Sequence, residues 1–221
     1  MKNRARMSGE LALLIAVVIN SMGVALMSKS HFGISPISSV PYVLSQAFPF
    51  VSFGTWNYAF QTLLIVILMI LNRHLNFSCF FSFLIGIAFG KMIDVHELWI
   101  QRLPDTLEFH MIYFILSFLL FAIGICLSNN SNLPIIPTDI FTRDLSGIIN
   151  KAYKKVKTSF DILCLLTTLL TSILFLHKII GVGIGTVLCA MATGKAVSLV
   201  QSFFDKHLVF YNITKNEKLL S

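Results

Sequence analysis

The residues of this chain that could do chemistry are a small set of polar and charged side chains in a strongly apolar sequence. The stretch PTDIFTRDLS from Pro137 places Asp139 and Arg143 four residues apart, so the two side chains can pair across one helical turn. Charged groups inside a membrane cost about 2.5–3.5 kcal/mol each and mark ligand sites. Asp161 is a further carboxylate, which can take up a proton if it faces the interior. Alternatively, it lies at the mouth of its helix, where the positive N-terminus favours it.

Pro137 has a counterpart at Pro36, in the stretch GISPISSVPYVLS. Proline lacks a backbone N–H and presets φ, so it suits the first turn of a helix, and Ser35 before Pro36 is a good N-cap. A short helix is therefore predicted to begin at each proline. Its unpaired N–H groups carry partial positive charge and can hold an anionic ligand. The alternative is that both segments are amphipathic helices in the membrane interface, with Arg143 as a headgroup anchor.

The two proline segments belong to an internal repeat. Gly23 to Ser45 aligns without gaps on Gly124 to Ser146. The identical pairs include Gly23 with Gly124, Ser30 with Ser131, Ile34 with Ile135 and Pro36 with Pro137.

The alignment continues into the next apolar block of each half. After a short insertion, Asn57 aligns with Asp161, which makes these residues a pseudo-symmetric polar pair. Gln61, Thr167, Thr168 and Thr171 are expected to extend the same polar face. The predicted substrate-binding residues are Ser35, Ser38, Asn57, Thr138, Asp139, Arg143 and Asp161.

The elements that must position these residues are membrane-spanning helices. Of the 221 residues, 56% are hydrophobic and only 12% are charged, which is about half the charged share of soluble domains. Apolar blocks recur close to the ~20 residues that a helix needs to cross the hydrocarbon layer. About six spans are predicted, and they run from Leu11 to Met27, Tyr58 to Leu71, Phe77 to Ile93, Met111 to Leu127, Phe160 to Phe175 and Ile179 to Val200.

Each half, residues 1–109 and 110–221, thus has three spans with a broken segment after the first. Because three is an odd number, the second half must enter the membrane from the opposite side. The predicted fold is an all-α integral membrane protein of about six transmembrane helices, built as an inverted repeat of three helices and three helices. Secondary transporters share this architecture and bind substrates between the halves, although duplication for stability alone would leave the same pattern.

The net charge of +7 is spread over connecting segments and forms no soluble basic face, so no nucleic-acid partner is expected. Most Lys and Arg residues fall on one side of the predicted topology, and the positive-inside rule then puts both termini in the cytoplasm. A basic start before an apolar run also fits a cleaved signal peptide. The run is longer than a usual signal core, so it is interpreted as a retained first span.

Soluble-enzyme motifs such as GxxxxGK[ST], HExxH and GxSxG are absent, so no enzyme activity and no cofactor are expected. The cysteines, Cys79, Cys126, Cys164 and Cys189, lie inside apolar blocks without CxxC spacing, which predicts small core residues rather than disulfides or a zinc site. His110 and His177 stand singly near helix ends and are interpreted as interfacial residues.

Three stretches of the second half, PTDIFTRDLS from Pro137, TSFDILC around Asp161 and GVGIGTVLCAMATGK from Gly181, resemble the YczE/YyaS/YitT-like family of bacterial membrane proteins. GISPISSVPYVLS in the first half is similar to that family as well. The resemblance covers most of residues 8 to 200 and implies a location in the bacterial cytoplasmic membrane.

The leading functional hypothesis is a secondary transporter or exporter of a small polar or anionic metabolite, based on the inverted repeat and the two broken segments. Its partners would be the lipid bilayer and a small-molecule substrate, with homo-oligomers also possible. The alternative is a membrane scaffold or regulatory partner of another protein that transports nothing.

Overall fold

The computed structural model describes residues 5–72, 77–133 and 136–212, without the side chains of residues 72 and 77–79. Ile135 of the repeat and the Cys79 side chain therefore lie outside the described part. Cys126, Cys164 and Cys189 are buried free thiols, which confirms the prediction of small core residues for these three.

The chain folds into long helices interrupted by two short ones, and a pair of short strands joins its ends. The predicted all-α membrane fold is confirmed, because nearly all described elements are helices and five of them are long and apolar enough to span a membrane. Helices also satisfy their own backbone hydrogen bonds, as a membrane requires. The strands, β1 (Ala5–Ser8) and β2 (Leu208–Tyr211), were not predicted. The helices are α1 (Gly9–Lys29), α2 (Pro36–Ala47), α3 (Phe53–Asn72), α4 (Phe77–Ile100), α5 (Leu107–Asn130), α6 (Pro137–Ile148), α7 (Tyr153–Thr171) with a π-helical extension (Ser172–Leu176), and α8 (Ile184–His207).

Among the described residues, five helices are long and apolar enough to cross a membrane: α1, α3, α5, the extended α7 and α8. The helix α4 also has 24 residues, but its second half carries Lys91, Asp94 and Glu97. Because β1 pairs in parallel with β2, the start of α1 and the end of α8 lie on the same side of the membrane. An even number of crossings follows, so we assign α4 as the sixth span.

The helices α2 and α6 are the broken segments expected from the sequence, and each begins at the predicted proline, Pro36 or Pro137. Each has 12 residues, and at 1.5 Å per residue such a helix covers about 18 Å, too little to cross the hydrocarbon layer. Ser35 occupies the N-cap position of α2 but makes no side-chain cap hydrogen bond. Its hydroxyl instead donates to Ser38 Oγ at 3.1 Å, because the Ser38 side chain lies one turn above it.

The central contact between the halves is the antiparallel pair α1 and α5. Gly124 of α5 lies directly against the side chain of Asn20 on α1, and Gly23 of α1 lies against the backbone of Phe121 on α5. Along the contact, the residue numbers of α5 therefore fall as those of α1 rise, which means that the two helices are antiparallel. Since α1 and α5 are equivalent elements of the repeat, this orientation inverts the second half relative to the first.

The ends of α1 and α5 show why one residue pair of the repeat is identical. Ser30 and Ser131 are both fully buried, and their hydroxyls donate to Met27 O and Ser128 O at 2.7 Å. Each is followed by a residue with left-handed backbone, His31 (φ 58°) or Asn132 (φ 53°). The two serines therefore terminate equivalent helices in the same way.

Each short helix packs against a long helix of the opposite half, α2 against α7 and α6 against α3. Side chains from all four helices meet in one core cluster, which includes Val40, Leu64, Ile140, Phe141, Phe160 and Cys164.

The last helices of the two halves differ in how they are covered. The helix α4 packs closely on α3, where Gly90 lies against Gly54. The helix α8 packs mainly on α5, and its Gly194 has no neighbouring atom within 4 Å of an added Cβ among the described residues. Gly194 therefore does not pack against a neighbouring helix in the described part of the chain, whereas Gly90 does.

Candidate functional site

Two buried amide side chains on α3 form a pair, and one of them, Gln61, lies near the start of α6. Gln61 Nε2 donates to Asn57 Oδ1 at 2.6 Å, and both residues are 3% exposed. Gln61 Oε1 is buried without a hydrogen-bond partner in the described part of the chain. A Cβ built on Gly86 of α4 would lie 2.7 Å from this oxygen and 3.2 Å from Pro137 Cγ, so the three elements meet at one point. An unpaired buried oxygen costs about 1–3 kcal/mol, which makes this point suitable for a ligand that donates a hydrogen bond.

A cluster of charged side chains lies beside the same short helix, α6. Lys157 Nζ donates to Asp161 Oδ1 at 3.0 Å across one turn of α7. Lys157, Asp161 and Arg143 are all close enough to act electrostatically on the Asp139 carboxylate. Within the described ranges, that carboxylate forms no hydrogen bond or ion pair of its own. Asp139 is therefore the carboxylate of this group that remains available to a ligand or a proton.

Arg143 does not form the expected ion pair with Asp139. Its Nε donates to Asp144 Oδ1 at 3.0 Å, and the Arg143 side chain is 60% exposed. The difference arises because the guanidinium extends to the surface of the chain, where an adjacent carboxylate balances its charge. The carbonyl oxygen of Thr138 accepts a hydrogen bond from the buried Thr142 hydroxyl at 3.3 Å, within α6 itself.

The start of α2 is polar but carries no charge. Ser38 is buried beside Ser35, and Ser39 Oγ lies 2.7 Å from Thr168 Oγ1 of α7 in a buried hydrogen bond. Thr167 is exposed and its hydroxyl bonds to Leu163 O of its own helix. The expectation that Thr167 extends the polar face was wrong, because consecutive helical residues point about 100° apart, so that only one of two adjacent threonines faces α2.

A pocket of about 300 Å³ opens between the end of α1, α2 and residues 178–182. Ile34 N donates to Gly181 O at 3.0 Å, which fixes the approach to α2 against this loop. Gly181 has a φ of +81°, which favours glycine, and a Cβ there would lie only 3.3 Å from Tyr42 Cδ1. The sixth apolar block was expected to be helical from Ile179, but this glycine turn delays the helix. The polar residues that line the pocket are Ser28, His31, Tyr42, Gln46 and Lys178.

The structure thus divides the predicted site residues between the two short helices. Ser35 and Ser38 lie at the start of α2, just after Ile34, which lines the pocket. Asn57, Thr138, Asp139, Arg143 and Asp161 lie around α6. Sequence reasoning missed Lys178, His31 and Gln46, because they come from separate connecting segments or helix ends and share no spacing. It also placed Gln61 only as an extension of the polar face, whereas the orientation of its free oxygen towards Pro137 depends on the packing of α4 and α6.

A comparison with protein-family models finds one family whose model matches residues 7–202, which is most of the chain. No curated protein and no solved structure matches the chain. The matched range begins just before α1 and ends within α8, so it includes all the helices of both halves except the end of α8. The chain therefore belongs to the family of unknown function DUF6198.

Proposed function

We propose that this membrane protein is a secondary transporter or exporter of a small polar or anionic metabolite, acting across the bacterial cytoplasmic membrane. The observation that carries the proposal is the unpaired Gln61 oxygen at the start of the second short helix. A buried polar atom without a partner, placed at a helix N-terminus between two inverted halves, matches the way that transporters with broken helices hold substrates.

The chemistry around α6 suits a substrate with both donor and acceptor groups. Gln61 Oε1 would accept a hydrogen bond from the substrate, and the N–H of Thr138 would donate to an anionic group. The neighbouring N–H groups of Asp139 and Ile140 already donate to Ile136 O. Asp139 would carry a proton or balance a substrate cation, with Lys157 and Asp161 nearby. Arg143 would attract anions at the surface instead of clamping them inside.

The orientation of the chain is part of the proposal. By the positive-inside rule, the excess of basic residues on one side supports termini in the cytoplasm. The start of α6 would then be reached from the cytoplasm and the pocket beside α2 from outside. The resemblance to the YczE/YyaS/YitT-like family supports the same membrane. Substrate would pass between the two sites as the halves move about α1 and α5.

The test uses the purified full chain in vesicles that are challenged with a metabolite mixture and analysed by mass spectrometry. We expect one or a few small polar compounds to enter or leave, and we expect Gln61→Leu and Asp139→Asn to remove this movement while membrane insertion stays intact. Thr167→Val is the matched control, because Thr167 is exposed and bonds only to its own helix. Movement that persists in both site variants would overturn the assignment of the site.

The structure also offers one observation in favour of a scaffold or regulatory partner. Lys195 lies exposed near the middle of α8 and forms no ion pair with the described residues, and Ser198 and Ser202 are exposed on the same helix. An unpaired lysine on a spanning helix is costly, so this face suits a partner helix that carries a carboxylate. No movement of any metabolite across a broad panel, together with capture of such a partner that Lys195→Leu abolishes, would favour this second function.

A further inference from the structure

Three side chains that are distant in sequence meet where the two halves are joined. His31 follows the end of α1, Asp105 lies between α4 and α5, and His110 is in the first turn of α5. Asp105 Oδ1 lies 2.6 Å from His110 Nε2 and 3.6 Å from His31 Nε2. One ligand atom from each residue lies within 4.8 Å of the others. Contrary to the expectation from the sequence, His110 therefore does not stand singly, because Asp105 and His31 lie beside it.

Two imidazole nitrogens and a carboxylate oxygen are a ligand set that divalent transition metals prefer. Zinc binds histidine nitrogen at about 2.0–2.1 Å and carboxylate oxygen at about 2.0–2.2 Å, so two ligand atoms on a tetrahedral ion lie roughly 3.3 Å apart. The distance from His31 to Asp105 is already close to this value. The hydrogen bond from His110 must lengthen by roughly 0.7 Å, which is feasible because Asp105 is on an exposed connection.

We propose that His31, Asp105 and His110 bind a divalent transition metal ion, with Zn²⁺ as the test ion and water completing its coordination. The geometry gives an open site with three protein ligands, and such a site leaves a position free for an outside ligand. His31 also lines the pocket beside α2. A bound ion would therefore bring positive charge to the rim of that pocket.

Lys29 is the cation that now competes for the same place. Its Nζ lies 3.3 Å from Asp105 Oδ1, and only 15% of the Lys29 side chain is exposed. The ammonium and the metal ion repel each other, so metal binding must displace Lys29 from this oxygen. The remaining oxygen of Asp105 lets the lysine keep a contact after the ion enters.

The test measures binding of Zn²⁺ to the full chain in detergent, purified with a tag that contains no histidine. We expect one ion per chain by calorimetry and a rise in the thermal midpoint on adding Zn²⁺. His31→Ala, His110→Gln and Asp105→Asn should each weaken binding at least tenfold, and Lys29→Met should tighten it severalfold. With Co²⁺, the visible absorption of a tetrahedral site should appear in the wild type and be lost in His31→Ala.

His177→Ala is the matched control, since His177 is an exposed histidine without a carboxylate neighbour among the described residues. It should leave the affinity unchanged. The proposal is overturned if no stoichiometric binding occurs, if His177→Ala weakens binding as much as His31→Ala does, or if Lys29→Met abolishes binding. His31 has an exposed side chain, so its variant keeps the test valid even if the His110 variant folds poorly.

Discussion

The two short helices occupy equivalent places in the repeat, yet they hold their partner helices by different chemistry. Ser39 of α2 bonds to Thr168 of α7, whereas the equivalent residues of the other pair, Ile140 of α6 and Leu64 of α3, lie in the apolar core. In a membrane, apolar contacts gain nothing over lipid except close packing, while a hydrogen bond fixes one register. The comparison teaches that a hydrogen bond fixes the register of α2 on α7, whereas among the described residues α6 is held on α3 by apolar packing.

The largest effect should come from truncating one side chain of the apolar pair formed by Leu64 and Ile140. Leu64→Ala deletes a side chain that is 3% exposed in the shared core. We expect a loss of about 2–5 kcal/mol in the free energy of unfolding, because neighbouring helices close such a cavity only in part. Unfolding in mixed micelles would measure it. Leu63→Ala, at a residue that is 54% exposed, is the control and should change little.

A second prediction compares the last helices of the two halves. Gly90→Val should destabilise the protein by about 1–3 kcal/mol, since its Cβ would lie 3.2 Å from Tyr58 Cβ and close to the Gly54 backbone. Gly194→Val should change the unfolding free energy by less than about 0.5 kcal/mol, because no described atom lies within 4 Å of a Cβ at this position. Equal losses at both positions would show that α8 is covered in the membrane as α4 is.

The hydroxyl pair should give a smaller and more specific effect. In a double-mutant cycle, Ser39→Ala and Thr168→Val should show a coupling of about 0.6 kcal/mol, the average found for hydrogen bonds between membrane helices. The measurement is the unfolding free energy of the two single variants and the double variant. Full additivity would mean that α2 is fixed in register by something other than this bond.

The smallest effect concerns the ends of α1 and α5, where Lys29 bonds to Asp105 and its repeat equivalent Asn130 bonds to Gln201. The hydrogen bonds from His110 and then Lys29 hold the pKa of Asp105 below its usual value. A lowered carboxyl pKa adds stability above the ordinary value of about 3.9, and that stability is lost as the pH falls through the lowered pKa.

The difference in thermal midpoint between wild type and Asp105→Asn should therefore shrink as the solution becomes strongly acidic. Asn130→Leu, which breaks the neutral pair and leaves the Gln201 bond to Asp205 in place, should give a difference that does not depend on pH in this range. If the difference in thermal midpoint for Asp105→Asn did not depend on pH, the stabilising role of the Lys29–Asp105 ion pair would be contradicted.

The repeat and the apolar blocks were enough to predict the fold, because proline at a helix start and a ~20-residue apolar run each have one dominant physical meaning. They also predicted the polar character of α6, since Thr138 and Asp139 follow directly from Pro137. Sequence could not show the free oxygen of Gln61, which depends on how Gly86 packs. The i and i+4 spacing of Asp139 and Arg143 permitted a pair, but Asp144 offered the guanidinium a nearer carboxylate at the surface.

The pairing of β1 with β2 has a consequence for how the protein is made. Ala5 and Leu208 are partners at nearly opposite ends of the chain, so the sheet cannot form until every helix has been synthesised and inserted. Contacts of such long sequence separation form late, because the chain between them must be ordered first. A pair of reporter groups placed on the two strands would therefore signal that α8 has been inserted and that both strands lie on the same side of the membrane. The signal would be absent for any chain that stalls with one helix left out.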